Sequence, residues 1–306
     1  MPVLVTGGAG FLGARLARRL VARGDAVHLI VRPSTDLARI DDLIGHVTLH
    51  HGDLTDADGL AAIVGLVEPR TVFHIAATGA YGADNGAALF RDSVLATFNV
   101  LQATAPLRDC RIIHTASSLE PGPRPEPIRE DDPFAPVAPY GAAKAAATLL
   151  ARQAAAGGRR VVMLRPFAIY GPGEPARRLI PTAIRAALTG TPLRLTAPGY
   201  TRDLIFVEDV VDAYIAAATT EGIDGELINV ATGRPTANEE TVRLIARITG
   251  RAIAIAPEPF PARATDTAVW CADVHKAQRL LGWRAAHDLE QGLAKTIAWH
   301  VEHHRD

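Results

Sequence analysis

Two side chains set four residues apart, Tyr140 and Lys144, are the pair in this sequence best suited to moving a proton. On a helix, positions four apart share a face, so the phenol and the ammonium group can act together. A free tyrosine titrates near pH ~10. A neighbouring lysine charge favours the phenolate and lowers that value, which makes Tyr140 a usable proton donor and acceptor near neutrality. Upstream, Thr115-Ala116-Ser117-Ser118 closes an apolar run of strand length. A hydroxyl beyond a strand's carboxyl end can hydrogen-bond a carbonyl and orient it towards Tyr140, and Ser117 is the favoured candidate. The plainer alternatives are a surface Tyr–Lys pair and hydroxyls that satisfy strand-end backbone.

The elements that must position these groups begin at the first turn. Val3-Leu4-Val5-Thr6-Gly7-Gly8-Ala9-Gly10-Phe11-Leu12-Gly13 reads as strand, glycine turn and helix, the order a dinucleotide-binding turn needs. Gly7 permits the tight turn, Gly10 lets backbone approach a pyrophosphate, and Gly13 lets the helix sit close on the sheet. Free N–H groups at the helix start then face the phosphates. A glycine-rich turn that binds nothing is the competing account.

Further strands are expected at Ala26–Val31, Val47–His50, Thr71–Ile75, Arg111–Thr115 and Val161–Arg165. Helical patterns separate them at Ala57–Val67, Ala87–Ala105 and Tyr140–Ala156. Such alternation predicts an α/β fold, a doubly wound parallel sheet with ligands beyond the strands' carboxyl ends. The proline-rich stretch Pro121 to Pro139 reads as a surface loop beside the site. Beyond Arg165 the alternation loosens. Helices are expected near Arg177–Leu188, Glu208–Thr219, Asn238–Ile248, Asp273–Leu281 and Leu289–His300. Short strands are expected at Leu193–Leu195, Leu227–Val230 and Ile253–Ala256. Residues 1–165 thus form a dinucleotide-binding domain, and 166–306 a smaller substrate-binding region, parts of 204–230 returning to the first domain.

Composition narrows the function. A hydrophobic content of 48% and a charged content of 21% describe an ordinary globular chain. The net charge of −1 gives nothing global to attract nucleic acid or an anionic membrane. The first strand leaves no room for a signal peptide, and no apolar run approaches the ~20 residues of a membrane span. Cys110 and Cys271 stand far apart, so no disulfide framework is implied, and a cytoplasmic location is expected. Eleven histidines invite a metal reading, yet His50 and His51 on a strand would face opposite ways, and no HExxH or CxxC occurs. No metal site is expected.

Gly7–Gly13, Gly52-Asp53-Leu54, His74-Ile75-Ala76-Ala77, Ser117, Tyr140 with Lys144, Arg165-Pro166-Phe167-Ala168-Ile169-Tyr170-Gly171-Pro172, Arg202-Asp203-Leu204-Ile205-Phe206-Val207-Glu208-Asp209-Val210 and Lys276…Leu281-Gly282-Trp283 follow in order. In that order they resemble the extended short-chain dehydrogenase/reductase family of NAD(P)-dependent nucleotide-sugar epimerases, dehydratases and reductases, over essentially the whole chain. The resemblance implies a Rossmann sheet and a catalytic triad of Ser117, Tyr140 and Lys144, with Lys144 also holding the nicotinamide ribose. It implies cofactor contacts from Gly7, Gly10, Phe11, Leu12, Gly13, Ala76, Ala77 and Pro166, with Asp53 and Leu54 lining the adenine. It places Thr78, Tyr81, Ser118, Arg202 and Arg263 at the substrate. The two arginines would clamp a sugar nucleotide's diphosphate. The motif around Arg263-Ala-Thr-Asp266 keeps its ends and lacks its glycine. A homodimer is implied, with the Ala87–Ala105 and Tyr140 helices paired across a two-fold axis.

Three departures refine that picture. Ile30-Val31-Arg32-Pro33-Ser34 ends in Arg32 where the family carries an acid for the ribose 2′-hydroxyl. Arg32 with Ser34 can accommodate a 2′-phosphate instead, which favours NADP (NADPH), with NAD the alternative. Ala168 and Pro121 replace an Asn and a Tyr near the substrate, loosening the tie to any one sugar nucleotide. Ser118-Leu119 lacks the Asp-Glu pair of the 4,6-dehydratases. The expected activity is therefore NADPH-dependent reduction of a ketone, foremost the 4-keto group of a nucleotide-activated 4-keto-6-deoxysugar. The alternatives are an NAD-dependent sugar 4-epimerase, a reductase of non-sugar carbonyls, and a redox sensor that binds NADP without turnover.

Overall fold

A chain of alternating apolar strands and amphipathic helices must cover both faces of its sheet. The computed structural model describes residues 1–77 and 86–303. Its strands are β1 (Pro2–Thr6), β2 (Ala26–Val31), β3 (Thr48–His51), β4 (Thr71–His74), β5 (Arg111–Thr115), β6 (Val161–Pro166), β7 (Ala168–Tyr170), β8 (Thr201–Phe206), β9 (Leu227–Val230) and β10 (Pro235–Ala237). Its helices are α1 (Phe11–Ala22), α2 (Ala57–Val67), α3 (Gly86–Phe90), α4 (Ala96–Ala103), α5 (Pro139–Ala156), α6 (Leu179–Thr189), α7 (Val207–Thr219), α8 (Asn238–Thr249), α9 (His275–Leu281) and α10 (Leu289–His303).

Seven strands form one parallel sheet in the order β3-β2-β1-β4-β5-β6-β9. The order reverses between β1 and β4, and there the carboxyl ends open a crevice. Helices α1 and α7 cover one face through Leu16, Leu20, Val210, Val211 and Tyr214. Helices α2, α4 and α5 cover the other. Ala143, Ala147 and Ala151 lie four apart on α5 and are fully buried, so the helix carrying Tyr140 packs closely along that small-residue stripe.

The second half builds a small sheet, β10-β8-β7, packed with α6, α8 and α10 around Tyr170, Phe206, Ile245 and Leu293. Expectation and structure part here. Leu193–Leu195 and Ile253–Ala256 are not strands but meet in one bridge, Leu193 to Ile255. Pro192, Pro257 and Pro259 flank the bridge, and proline cannot extend a ladder. β7, β8 and β10 had no reading as strands, because three-residue strands and a run through Arg202-Asp203 carry no apolar alternation. Leu227–Val230 is a strand as expected, and it forms the seventh strand of the large sheet. The helix expected over Ala87–Ala105 is interrupted by a wider π-type turn at Arg91–Leu95. There Thr97 bonds back to the Ser93 carbonyl at 2.6 Å while meeting the buried His74 ring at 3.0 Å.

β6 is buried along all six residues, and one of them is Arg165. Its guanidinium, with no exposed area, lies 3.4 Å from Glu120, equally buried, and donates to the Arg129 carbonyl at 3.2 Å. Removing one member of such a pair leaves a charge without its counterpart, at a cost of about 3–5 kcal/mol. Arg165→Met should therefore lower the stability measured by urea unfolding by that amount. A change below about 1 kcal/mol, the range of exposed pairs, would show the pair to be solvated in solution.

Candidate active site

The glycine turn is built around one close approach. Gly7 takes a positive φ of 72°, and its carbonyl accepts the Gly10 N–H at 3.0 Å. A Cβ on Gly13 would lie 2.1 Å from that carbonyl oxygen, so α1 can start where it does only with glycine at this position. Gly10 precedes α1 in extended conformation, and no side chain caps the helix. The first-turn N–H groups therefore remain available to an anion. They open into a cleft of about 550 Å³ at the sheet's reversal point.

Gly7, Gly10, Phe11, Leu12, Gly13, Arg32, Ser34, Asp53, Leu54, Ala76 and Ala77 all line this cleft. Arg32 is more than half exposed at its rim, 3.8 Å from the Asp92 carboxylate. Asp53 accepts both the backbone N–H and the hydroxyl of Thr55, at 2.9 and 2.8 Å. The Thr55 N–H is the main reason its carboxyl sits below the ordinary range. The sequence reading did not include Asp36, Arg39 and Asp92, which also line the cleft. Asp92 stands on the π-type turn, and no local pattern marks a residue brought to the cleft from that distance.

Ser117 follows β5, and Lys144 reaches the carboxyl end of that strand from α5. Tyr140 occupies the first turn of α5, behind a helix-starting Pro139. A Cβ on Gly141 would fall 2.5 Å from the Leu119 carbonyl, so the helix start docks tightly on the loop that carries Ser117. Ser117 and Ser118 are buried side by side in that loop. The Ser117 hydroxyl accepts the Leu119 N–H at 3.2 Å. Lys144 is buried and donates from Nζ to the Thr115 carbonyl. Burial pulls its ammonium down to about 8, while the charge of Glu120 acts to raise it. Burial, then the Lys144 charge, also drives the His74 ring down to about 3, so that histidine is neutral. Pro166 ends β6, paired with Val230.

Arg202 on β8 and Arg263 in the loop between α8 and α9 converge on one carboxylate. Asp266 receives a guanidinium N–H from Arg202 and lies 3.4 Å from Arg263 Nη2. It also accepts the Arg263 backbone N–H at 2.9 Å. Burial disfavours the Asp266 carboxylate, but the Arg263 contacts and the Arg202 charge outweigh that and hold it ionised. Trp270 and Phe260 lie under the two guanidinium groups, at 5.6 and 5.7 Å. Neither arginine lines the glycine-turn cleft. Thr78 and Tyr81 lie outside the described residues. Among the described residues, no group of three or more His, Cys, Asp or Glu side chains is placed to hold a metal. No helix among them is long and apolar enough to cross a membrane.

Comparison with known proteins agrees with this geometry. The NAD dependent epimerase/dehydratase family pattern matches residues 3–231. A UDP-glucose 4-epimerase of Mycolicibacterium smegmatis is 30% identical over 97% of both chains. A dTDP-glucose 4,6-dehydratase of Neisseria gonorrhoeae is 29% identical over 98% of this chain and 95% of its own. Among solved structures, MoeE5 in complex with UDP-glucuronic acid and NAD superposes with a TM-score of 0.88 at 33% identity, covering 99% of each chain. The UDP-glucose 4-epimerase of Thermotoga maritima with UDP-glucose gives 0.90 at 26% identity, also over 99% of each. The chain belongs to the NAD dependent epimerase/dehydratase family, whose doubly wound fold it shares.

Proposed function

We propose that this chain is a nicotinamide-dependent oxidoreductase of nucleotide-activated sugars, and that it reduces the 4-keto group of a 4-keto-6-deoxysugar with NADPH. The coarser part is supported by the family's relatives, which act on UDP- and dTDP-sugars and whose structures hold NAD. The observation that carries the finer part is Arg32, a cation at the cleft's rim where an acid would favour NAD. The cleft fits a dinucleotide, since the uncapped α1 N–H groups face it and Gly7 and Gly13, where a Cβ would strike neighbouring backbone, let the turn close tightly beneath it.

A bound nicotinamide supplies the hydride. The protein's part is to place and protonate the carbonyl. The Ser117 hydroxyl steadies the carbonyl oxygen as charge develops there. Tyr140 delivers a proton to that oxygen, and the buried Lys144 charge makes the phenol a better donor. Arg202 and Arg263, pre-set by Asp266, meet the diphosphate with planar, charge-assisted forks. Both cysteines are buried free thiols, which fits a reducing compartment such as the cytoplasm. Phe90, Leu95 and Phe98 on one helical segment and Leu149 on α5 are exposed apolar side chains, which supports a homodimer built on these helices. A second reading, an NAD-dependent 4-epimerase, draws on the NAD bound in similar structures and on the Asp92 carboxylate beside Arg32.

Three measurements check the proposal. NADPH oxidation with a 4-keto-6-deoxy nucleotide sugar should proceed in the parent and fall roughly 10²–10⁴-fold in Tyr140→Phe with cofactor affinity kept. Lys144→Met should lose both, and Ser117→Ala should lose less activity than Tyr140→Phe. Turnover that persists in Tyr140→Phe would remove Tyr140 as donor, and absent turnover in the parent would leave the sensor reading. In cofactor titrations the parent should prefer NADPH and Arg32→Asp should reverse the preference, a contact worth ~1.5–3 kcal/mol, or about 10- to 150-fold. Equal parent affinity would contradict the role of Arg32. Light scattering at micromolar concentration should give a dimer for the parent and a monomer for Leu149→Arg. A monomeric parent would exclude the dimer.

A further inference from the structure

Three residues after Ser117 stands an acid that no part of the proton-moving pair explains. Glu120 has no exposed area, and a buried carboxylate is unfavourable unless it is paired and hydrogen-bonded. Its Oε1 accepts the Ser117 backbone N–H and the Thr148 hydroxyl, both at 2.8 Å. Its Oε2 lies 3.4 Å from Arg165 Nε. Tyr140, Lys144 and Thr148 are spaced four apart along α5 and so share one helical face. Glu120 thus grips the loop of Ser117 with one bond and the catalytic face of the helix with another.

The geometry points to Glu120 as a positioning residue that clamps the Ser117 loop to the Lys144 helix and supplies the buried negative charge that keeps the Lys144 ammonium charged. This rests on the reading of Tyr140 and Lys144 as the proton-moving pair. The surrounding charges leave that task to Glu120. From β4 and β5, His74 and His114 face the ammonium as neutral rings, both held low by burial and by Lys144 itself. His114 meets Thr148 at 3.3 Å, and that hydroxyl passes its hydrogen to Glu120. From α7, Tyr214 donates to the Thr115 hydroxyl at 3.0 Å and brings no charge. Arg165 on β6, with Glu130 and Arg152 beyond it, balances Glu120 from the far side. Burial raises the Glu120 carboxyl above its ordinary range, and the Arg165 and Lys144 charges offset part of that rise. Among the described residues, Glu120 is the charge that acts to raise Lys144.

The consequence is a lysine poised close to its own titration. With Glu120 in place, the ammonium survives burial to about 8. Without that negative charge, Lys144 loses its proton at a lower pH, and Tyr140 loses the field that favours proton release. A role confined to geometry would leave the titration unmoved, because a glutamine at 120 keeps a carbonyl oxygen for Ser117 and Thr148.

Only three lysines occur in the chain, Lys144, Lys276 and Lys295, so ¹³C-lysine labelling of the full-length protein resolves each Cε signal. Lys144→Arg assigns the signal of interest. The Lys144 midpoint should lie near 8 in the parent and fall by about one unit or more in Glu120→Gln, with Lys276 and Lys295 unchanged. Should an unpaired Arg165 unfold that variant, Glu120→Val with Arg165→Met removes both buried charges and should show the same fall. An unmoved midpoint in either folded variant overturns the inference. The titration needs no substrate, so a protein that shows the shift yet reduces no nucleotide sugar keeps the Glu120 role and loses the proposed activity.

Discussion

An ammonium group held inside the carboxyl edge of a sheet is the constraint around which this molecule is arranged. Lys144 has almost no exposed surface, and such a charge needs compensation from fixed groups. The Thr115 carbonyl accepts its N–H, and Glu120 opposes it electrostatically. The two histidines that face it give up their own charge. His74 and His114 pair across β4 and β5 towards the carboxyl ends of these strands, and Arg165 on β6 answers Glu120. The polar side chains are one connected arrangement that buries a cation beside a phenol.

Two glycines give the arrangement its reach. Gly13 lets α1 approach the Gly7 carbonyl, and Gly141 lets α5 approach the Leu119 carbonyl. The first sets the N–H groups that face a dinucleotide. The second sets the distance between the loop of Ser117 and the helix of Tyr140. Both helices approach backbone to backbone, so their positions depend little on side-chain rotamers.

Much of this was legible in the residues themselves. β2, β5 and α2 have the bounds that their apolar runs predict, with Asp56 capping α2 by accepting the Gly59 N–H at 3.1 Å. Spacing marked the glycines of the first turn, and the family resemblance added the strand-end residues that line the same cleft, because both are local features of the sequence. What escaped the sequence acts across space. β8 and β10 pair around Asp203, whose buried carboxylate collects N–H groups from Thr232, Gly233 and Ala272, about 30 and 69 positions away. Glu120 works through Thr148 and Arg165, and Asp266 works through Arg202, 64 positions away. No periodicity announces a carboxylate whose partners are tertiary.

The central claim is that a hydride passes between the nicotinamide cofactor and C4 of a sugar while Tyr140 handles the proton. Deuterium tracing addresses it most directly. NADPH carrying deuterium at both C4 positions is incubated with a 4-keto-6-deoxy nucleotide sugar, and the product is examined by mass spectrometry and NMR. The account predicts one deuterium per molecule of product, located at C4, with one NADPH consumed for each. Product that forms without label, or without net loss of NADPH, would contradict it.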